Sequence, residues 1–353
     1  MERASSRAGV TGPLVTVGIP SYRPNLDLFQ RCLRSVENQA GIDFPYEILV
    51  VLDGEEENKE LLDSGLLDGA RGVRVITKEH AGEASARNTI IDAAFGRWLV
   101  FLDADDFLPP DALQALLSAA ESCSPDFVSS NHSRVYPSGS EEVSYFRRWC
   151  DWRNEECAGY LKVVLSSGTD QGTVWAKAFR VSFLREKGLV LNTGLVNGVD
   201  QEFMVRCVLS ASHIVAIPEL TYHYVYNAGS IVRSFSPEYP RLLSDTIEQV
   251  RRDLSCFLGD DRVSLAFDQY VLDRFLMLVV NYLCHPRYCG GYADRAKDFR
   301  GAVKTDPYRT ALKNIDYAQF SASRKVVLWL SSKGWFLPIR MIGWVRHVQL
   351  SGV

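Results

Sequence analysis

Four short runs rich in branched and aromatic residues, Leu14–Pro20, Tyr46–Leu52, Val73–Thr77 and Trp98–Leu102, constrain the fold more than anything else in the chain. Between them the periodicity turns helical. Leu26, Phe29, Leu33 and Val36 recur at helical spacing, with Asp27 suited to a first turn. An acidic helical stretch, Glu55 to Leu67, follows the second run, and a helix of small residues, Ala84 to Phe95, precedes the fourth. Strand and helix in alternation predict a parallel sheet wrapped on both faces. In such sheets ligands collect outside the carboxyl ends of the strands. The turns at Tyr22, Asp53 and Asp103 are all carboxyl ends, so they line one crevice.

The fourth run reads as a fully buried strand and runs straight into Asp103, Asp105 and Asp106. Burying those carboxylates at a strand end is costly unless a cation or positive partner offsets them. Hard cations such as Mg²⁺ and Mn²⁺ take oxygen ligands, and an extended chain points Asp103 and Asp105 to one side. The alternative is a solvated turn capping a helix that begins near Pro109 and Pro110. Other crevice residues are equally two-sided. Tyr22 can stack on a planar base or plug a loop, and Asp53 can accept from a base N–H or shape an Asp-Gly turn. Arg87 can pair with phosphate or neutralise Asp103. No GxGxxG follows the first strand and no GxxxxGK[ST] occurs, which argues against dinucleotide-binding and P-loop designs.

With 353 residues the chain exceeds one ordinary core, so a large domain plus an appended one is expected. A net charge of −4 gives no case for nucleic-acid binding. No apolar run approaches the length of a membrane span. Residues 1–12 read as a short disordered leader without a secretion-type apolar segment. The eight cysteines are scattered without a CxxC pair, as for reduced thiols in a cytoplasmic protein.

The series Val17-Gly18-Ile19-Pro20-Ser21-Tyr22, Ile48-Leu49-Val50-Val51-Leu52-Asp53-Gly54, Gly82-Glu83-Ala84-Ser85-Ala86-Arg87-Asn88 and Phe101-Leu102-Asp103-Ala104-Asp105-Asp106 resembles the nucleotide-sugar half of family 2 glycosyltransferases. The resemblance implies a GT-A-like α/β fold, a mostly parallel sheet flanked by helices, here with a helical C-terminal region. It also implies a base site at Tyr22 and Asp53, and ribose and metal contacts at Asp103 and Asp105. The full donor set it implies is Pro20, Tyr22, Asp53, Arg87, Asp103, Asp105, Lys177, Ser230 and Arg233. Mn²⁺ or Mg²⁺ is expected at Asp105 and Asp103, with His223 as a further ligand. Leu52 stands where many members carry another Asp, and His80-Ala81-Gly82 replaces the commoner Asn-Gly-Gly.

Further along, Trp175-Ala176-Lys177 resembles the family's Trp-x-Lys segment, and Val199-Asp200-Gln201-Glu202-Phe203 its Glu-Asp-x-x-Phe element, with Val199 in place of Glu. An inverting displacement needs a carboxylate to take the acceptor's proton, and Asp200 is assigned that role. It could instead cap a helix from Gln201 to Leu209. Asp106, Trp175 and Glu202 are candidate acceptor contacts. Ser230 and Arg233 would clamp the diphosphate. His223, between two tyrosines, could equally be a packed strand residue.

Domains are expected at 13–130 for the donor half, 131–239 for the acceptor half and 240–353 for the helical region. After Asp316 there is no acidic residue, whereas Arg324, Lys325, Lys333, Arg340 and Arg346 give +5, and Trp329, Trp335 and Trp344 lie among them. Such a tail, 324–353, suits peripheral contact with an anionic membrane surface, or docking on protein. The expected activity is metal-dependent, inverting transfer from a nucleotide-diphosphate donor, with UDP the expected nucleotide. The acceptor would be a glycan or lipid-linked glycan in cell-surface polysaccharide synthesis, at the inner face of the cell membrane. A sugar-nucleotide pyrophosphorylase would need a Gly-rich phosphate loop absent after Ile19. A non-catalytic glycan- or nucleotide-binding protein on the same fold is the other alternative.

Overall fold

The computed structural model describes residues 12–351 except 69, 71, 167 and 227–234, and the backbone alone from 344 to 351. The expected leader before residue 12 lies outside the described residues.

Among the described residues nine strands form one sheet: β1 (Val15–Ser21), β2 (Tyr46–Asp53), β3 (Val73–Lys78), β4 (Trp98–Phe101), β5 (Phe127–Tyr136), β6 (Gly139–Val143), β7 (Cys150–Arg153), β8 (Lys177–Arg180) and β9 (His213–Val225). Their order is β3-β2-β1-β4-β8-β5-β9-β7, with β6 paired to β5. The four expected strands make the parallel half, in which Val15 of β1 pairs with Tyr46 on one side and Trp98 on the other. Beyond β4 the sheet is mixed. β8 is antiparallel to β4 and β5, and β5 is parallel to β9. Residues on both sides of position 130 therefore share one sheet.

The helices are α1 (Leu26–Glu37), α2 (Lys59–Asp63), α3 (Glu83–Ala93), α4 (Ala112–Cys123), α5 (Leu161–Leu165), α6 (Val181–Glu186), α7 (Val199–Ser210), α8 (Tyr239–Asp253), α9 (Asp261–Leu278), α10 (Tyr292–Lys304), α11 (Tyr308–Lys313), α12 (Ala322–Ser332) and α13 (Phe336–Ser351). Asn25 caps α1 by accepting from the Leu28 amide at 3.1 Å, and Phe29, Cys32, Leu33 and Val36 are buried as their spacing requires. The acidic stretch expected as a helix forms only a 3₁₀ turn at Glu56–Asn58 and the short α2, which buries Leu61 alone. So little apolar area cannot support a longer helix against four nearby glutamates.

α3 lies directly on β1. A methyl group at Gly18 would overlap Ile90 of α3, and one at Gly96 would overlap the Thr16 backbone. Trp98 is fully buried and donates its indole N–H to Glu121 at 2.7 Å. The chain divides into two compact units. One comprises 12–157, 173–193 and 207–226; the other comprises 158–172, 194–206 and the described residues after 226. The second unit is helical. Among the described residues no helix is long and apolar enough to cross a membrane.

Candidate active site

The carboxyl ends of β2, β1 and β4 lie side by side in the first unit. Asp53 ends β2 with its side chain buried. Its Oδ1 accepts from Lys78 Nζ at 2.8 Å and the Ala81 amide at 2.9 Å, while Oδ2 meets His80 Nδ1 at 2.7 Å and the Gly82 amide at 2.8 Å. Those contacts occupy the four acceptor directions of a carboxylate. Burial alone would raise the Asp53 pKa. Lys78, the two amides and His80 outweigh it and hold the group below its ordinary value. In this structure Asp53 fastens the loop Lys78–Gly82.

That loop carries the His80 ring under Tyr22, stacked at 4.5 Å with the planes 22° apart. Tyr22 is 41% exposed, and Pro20 two residues before it is half-buried. Behind the turn, fully buried Asn58 accepts from Ser21 Oγ at 2.8 Å and donates to the Gly54 carbonyl at 2.7 Å. Asn58 ties the ends of β1 and β2 together. Nothing in an acidic helix-like stretch singles it out beforehand.

The aspartates following β4 have separate environments. Asp103 Oδ1 receives Arg87 Nη2 at 2.6 Å, and Arg87, itself buried, also pairs with Glu83 at 2.7 Å. Arg87 therefore neutralises Asp103, one of its two expected roles. Asp106 is buried and accepts from Tyr222 Oη and the Val225 amide, both at 2.7 Å. Burial, then Asp103 and Asp105, push its pKa well above the usual range. The Tyr222 hydroxyl also accepts from the Asp103 amide at 3.1 Å, so β9 fixes the segment from behind. Asp105 is half-buried and has no ion pair among the described residues, and burial together with Asp103 raises its pKa. The Arg31 guanidinium donates to the Asp105 carbonyl at 3.2 Å and lies 4.4 Å over the Phe107 ring.

His223 sits on the same ring at 4.5 Å, and its Nδ1 meets Ser133 Oγ at 2.5 Å. Burial and the Arg31 charge lower its pKa, so the imidazole is neutral at pH 7. Backbone bonds between Phe107 and His223, 2.9 and 3.3 Å, bring β9 to the aspartate turn. Among the described residues no group of three or more His, Cys, Asp and Glu side chains could by itself hold a metal ion. Asp103, Asp105 and His223 thus form no ready-made cage. What is present is an unpaired carboxylate strained by its acidic neighbour. That fits an Mg²⁺ or Mn²⁺ ion which draws most of its shell from phosphate and water.

The three acceptor candidates, Asp106, Trp175 and Glu202, are all buried. Trp175 is stacked between aromatic neighbours, Tyr222 at 4.7 Å and Tyr224 at 5.8 Å, with His132 edge-on at 4.7 Å. Asp106 is satisfied as described. Glu202 accepts from Arg206 at 2.6 and 3.0 Å. Lys177 is also fully buried, its ammonium donating to the Trp175 carbonyl at 3.3 Å.

In the second unit Asp200 is half-buried within the first turn of α7, which begins at Val199 and so leaves Asp200 inside the helix rather than capping it. Beside it, Gln201 donates to the Val164 carbonyl of α5 at 2.7 Å and accepts from Arg274 of α9. Ser230 and Arg233 lie outside the described residues.

Residues 16–177 match the family model described as Glycosyl transferase family 2. The chain is 27% identical over 334 residues to the putative glycosyltransferase EpsH of Bacillus subtilis (strain 168), covering 90% of this chain and 91% of that protein. It is 27% identical over 278 residues to the glycosyltransferase GlyG of Streptococcus pneumoniae serotype 4, covering 76% and 87% respectively. The crystal structure of S. aureus TarS 1-349 in complex with UDP-GlcNAc superposes with a TM-score of 0.63 at 14% identity, covering 96% of this chain and 92% of that one.

Proposed function

We propose that the chain, which matches the family 2 glycosyltransferase model over residues 16–177, transfers a sugar from a UDP-linked donor to a glycan-type hydroxyl, inverting the anomeric carbon. One observation carries this: the exposed Tyr22 follows β1 and Asp103 and Asp105 follow β4, at the same carboxyl edge of two adjacent parallel strands. The UDP-GlcNAc bound to TarS, whose fold this chain shares, supports a uridine-diphosphate donor.

Tyr22 offers its ring to the base, with Pro20 beside it and the loop pinned by Asp53 beneath. Asp103, held by Arg87, accepts from the ribose hydroxyls. Asp105, with Asp103 and His223 as further candidate ligands, would hold Mn²⁺ or Mg²⁺, which would supply positive charge against that of the departing diphosphate. Ser230 and Arg233 clamp the diphosphate. Asp200 takes the acceptor's proton as the new C–O bond forms and the bond to the diphosphate breaks. The acceptor is a glycan or lipid-linked glycan of cell-surface polysaccharide synthesis, and the reaction runs on the cytoplasmic side of the membrane. Eight cysteines without a disulfide suit that reducing compartment.

The test is UDP release from a panel of UDP-sugars with Mn²⁺ present. Asp105→Asn abolishes turnover. Asp200→Asn lowers kcat by on the order of 10²–10⁴-fold while leaving the Kd for UDP nearly unchanged. Normal turnover in both variants refutes the assignment.

A further inference from the structure

The last two helices of the second unit are apolar on two sides. α12 buries Val327 and Leu328, and α13 buries Phe336 and Ile339, as helices docked on a core do. Yet Val326, Trp329, Trp335, Leu337, Met341 and Ile342 also stand exposed, Trp329 at 45%, Trp335 at 54% and Met341 at 63%. The turn between the helices brings two of these residues, Trp329 and Trp335, together. Gly334 adopts a left-handed conformation, φ 71°, its amide bonding to the Ser331 carbonyl at 2.9 Å and that of Trp335 to Leu330 at 3.0 Å. This pattern ends a helix and ordinarily tucks the following apolar side chain inward. Here it sets the Trp335 ring edge-on to Trp329, 5.6 Å away, with both rings in the open. Large apolar side chains left exposed together on neighbouring turns are what a contact surface presents.

Its charges identify the partner. No Asp or Glu follows Asp316, and Lys333 stands between the two tryptophans in sequence. Lys325 and Lys333 have no acidic partner among the described residues, whereas Arg324 pairs with Asp273 at 3.3 Å and Arg340 lies over Tyr292 at 5.5 Å. Lysine is depleted in protein–protein interfaces but frequent beside tryptophan where helices lie on anionic lipid. Trp rings also favour the boundary between hydrocarbon and head groups. We propose that the face formed by α12, the Gly334 turn and the start of α13 binds an anionic bilayer surface, with Trp329, Trp335, Leu337 and Met341 entering the head-group region and Lys325 and Lys333 meeting lipid phosphates.

The full chain is mixed with vesicles of phosphatidylcholine, or of equal parts phosphatidylcholine and phosphatidylglycerol, and sedimented. Binding at least about tenfold tighter to the anionic vesicles at low salt, lost at high salt, is expected. Lys325→Glu with Lys333→Glu weakens that binding at least about tenfold, and Trp329→Ser with Trp335→Ser does so without changing the melting temperature, because both rings are already exposed. Tryptophan fluorescence shifts to the blue on anionic vesicles in the unaltered chain. Equal binding to both vesicle types overturns the proposal, as does binding that the variants leave unchanged. So does sedimentation equilibrium showing a dimer in lipid-free buffer that the Trp variants dissociate, which would give the patch to a second copy of the chain. Vesicle binding is read without turnover, so it stands or falls apart from the donor chemistry.

Discussion

Asp53 and Asp106 are both buried carboxylates near the crevice, and their surroundings push them in opposite directions. Asp53 is held below its ordinary value of 3.8 because Lys78, two amides and His80 outweigh burial. Its folded pKa is lower than its unfolded one, so its contribution is present above the ordinary value and is lost as pH falls through the folded one. Asp53→Asn should therefore cost about 1–3 kcal/mol in urea unfolding at neutral pH, with the gap from the unaltered chain closing in acid. A gap independent of pH would mean that the loop is held by something else. The residue types of this site were legible in the sequence; their states were not. An Asp-Gly step does not show that Asp53 reaches four groups on Lys78–Gly82. Likewise, a Trp-x-Lys segment does not show that both side chains face inward.

Elements were read best where burial follows a simple period. β1, β2, β4 and α1 lie where apolar spacing put them, because each buries a continuous face, whereas β3 forms as expected although none of its residues is fully buried. β5 is the counterexample. Its run Ser129-Ser130-Asn131-His132-Ser133 is fully buried, yet in sequence it resembles a surface loop. Partners distant in sequence make that burial possible. Asn131 Nδ2 reaches the Phe146 and Pro218 carbonyls, each at 2.8 Å, and Ser130 Oγ the Ala176 carbonyl at 2.9 Å. At this scale the contact of α3 with β1 offers a direct check. Gly18→Ala forces a methyl against Ile90 and should cost about 1–3 kcal/mol by urea titration. In an Ile90→Ala background, which removes the Cγ2 methyl that the new Cβ would meet, Gly18→Ala should cost less.

For the whole chain, charge is unevenly distributed: +5 after Asp316 within a total of −4 leaves −9 for the remainder. A donor bringing two phosphates into that acidic remainder needs a counter-charge. UDP should therefore raise the melting temperature by several degrees only when Mn²⁺ or Mg²⁺ accompanies it, a ligand at a hundred times its Kd being worth about 2.7 kcal/mol. An equal rise with UDP alone would argue against metal dependence, and Asp105→Asn should erase the metal's share. β4 lies at the seam of the sheet, clasped in one direction by β1 and in the other by β8. A strand gripped from both sides in opposed senses has no line along which to slide. The carboxylates that follow it therefore leave the sheet from a strand anchored on both flanks.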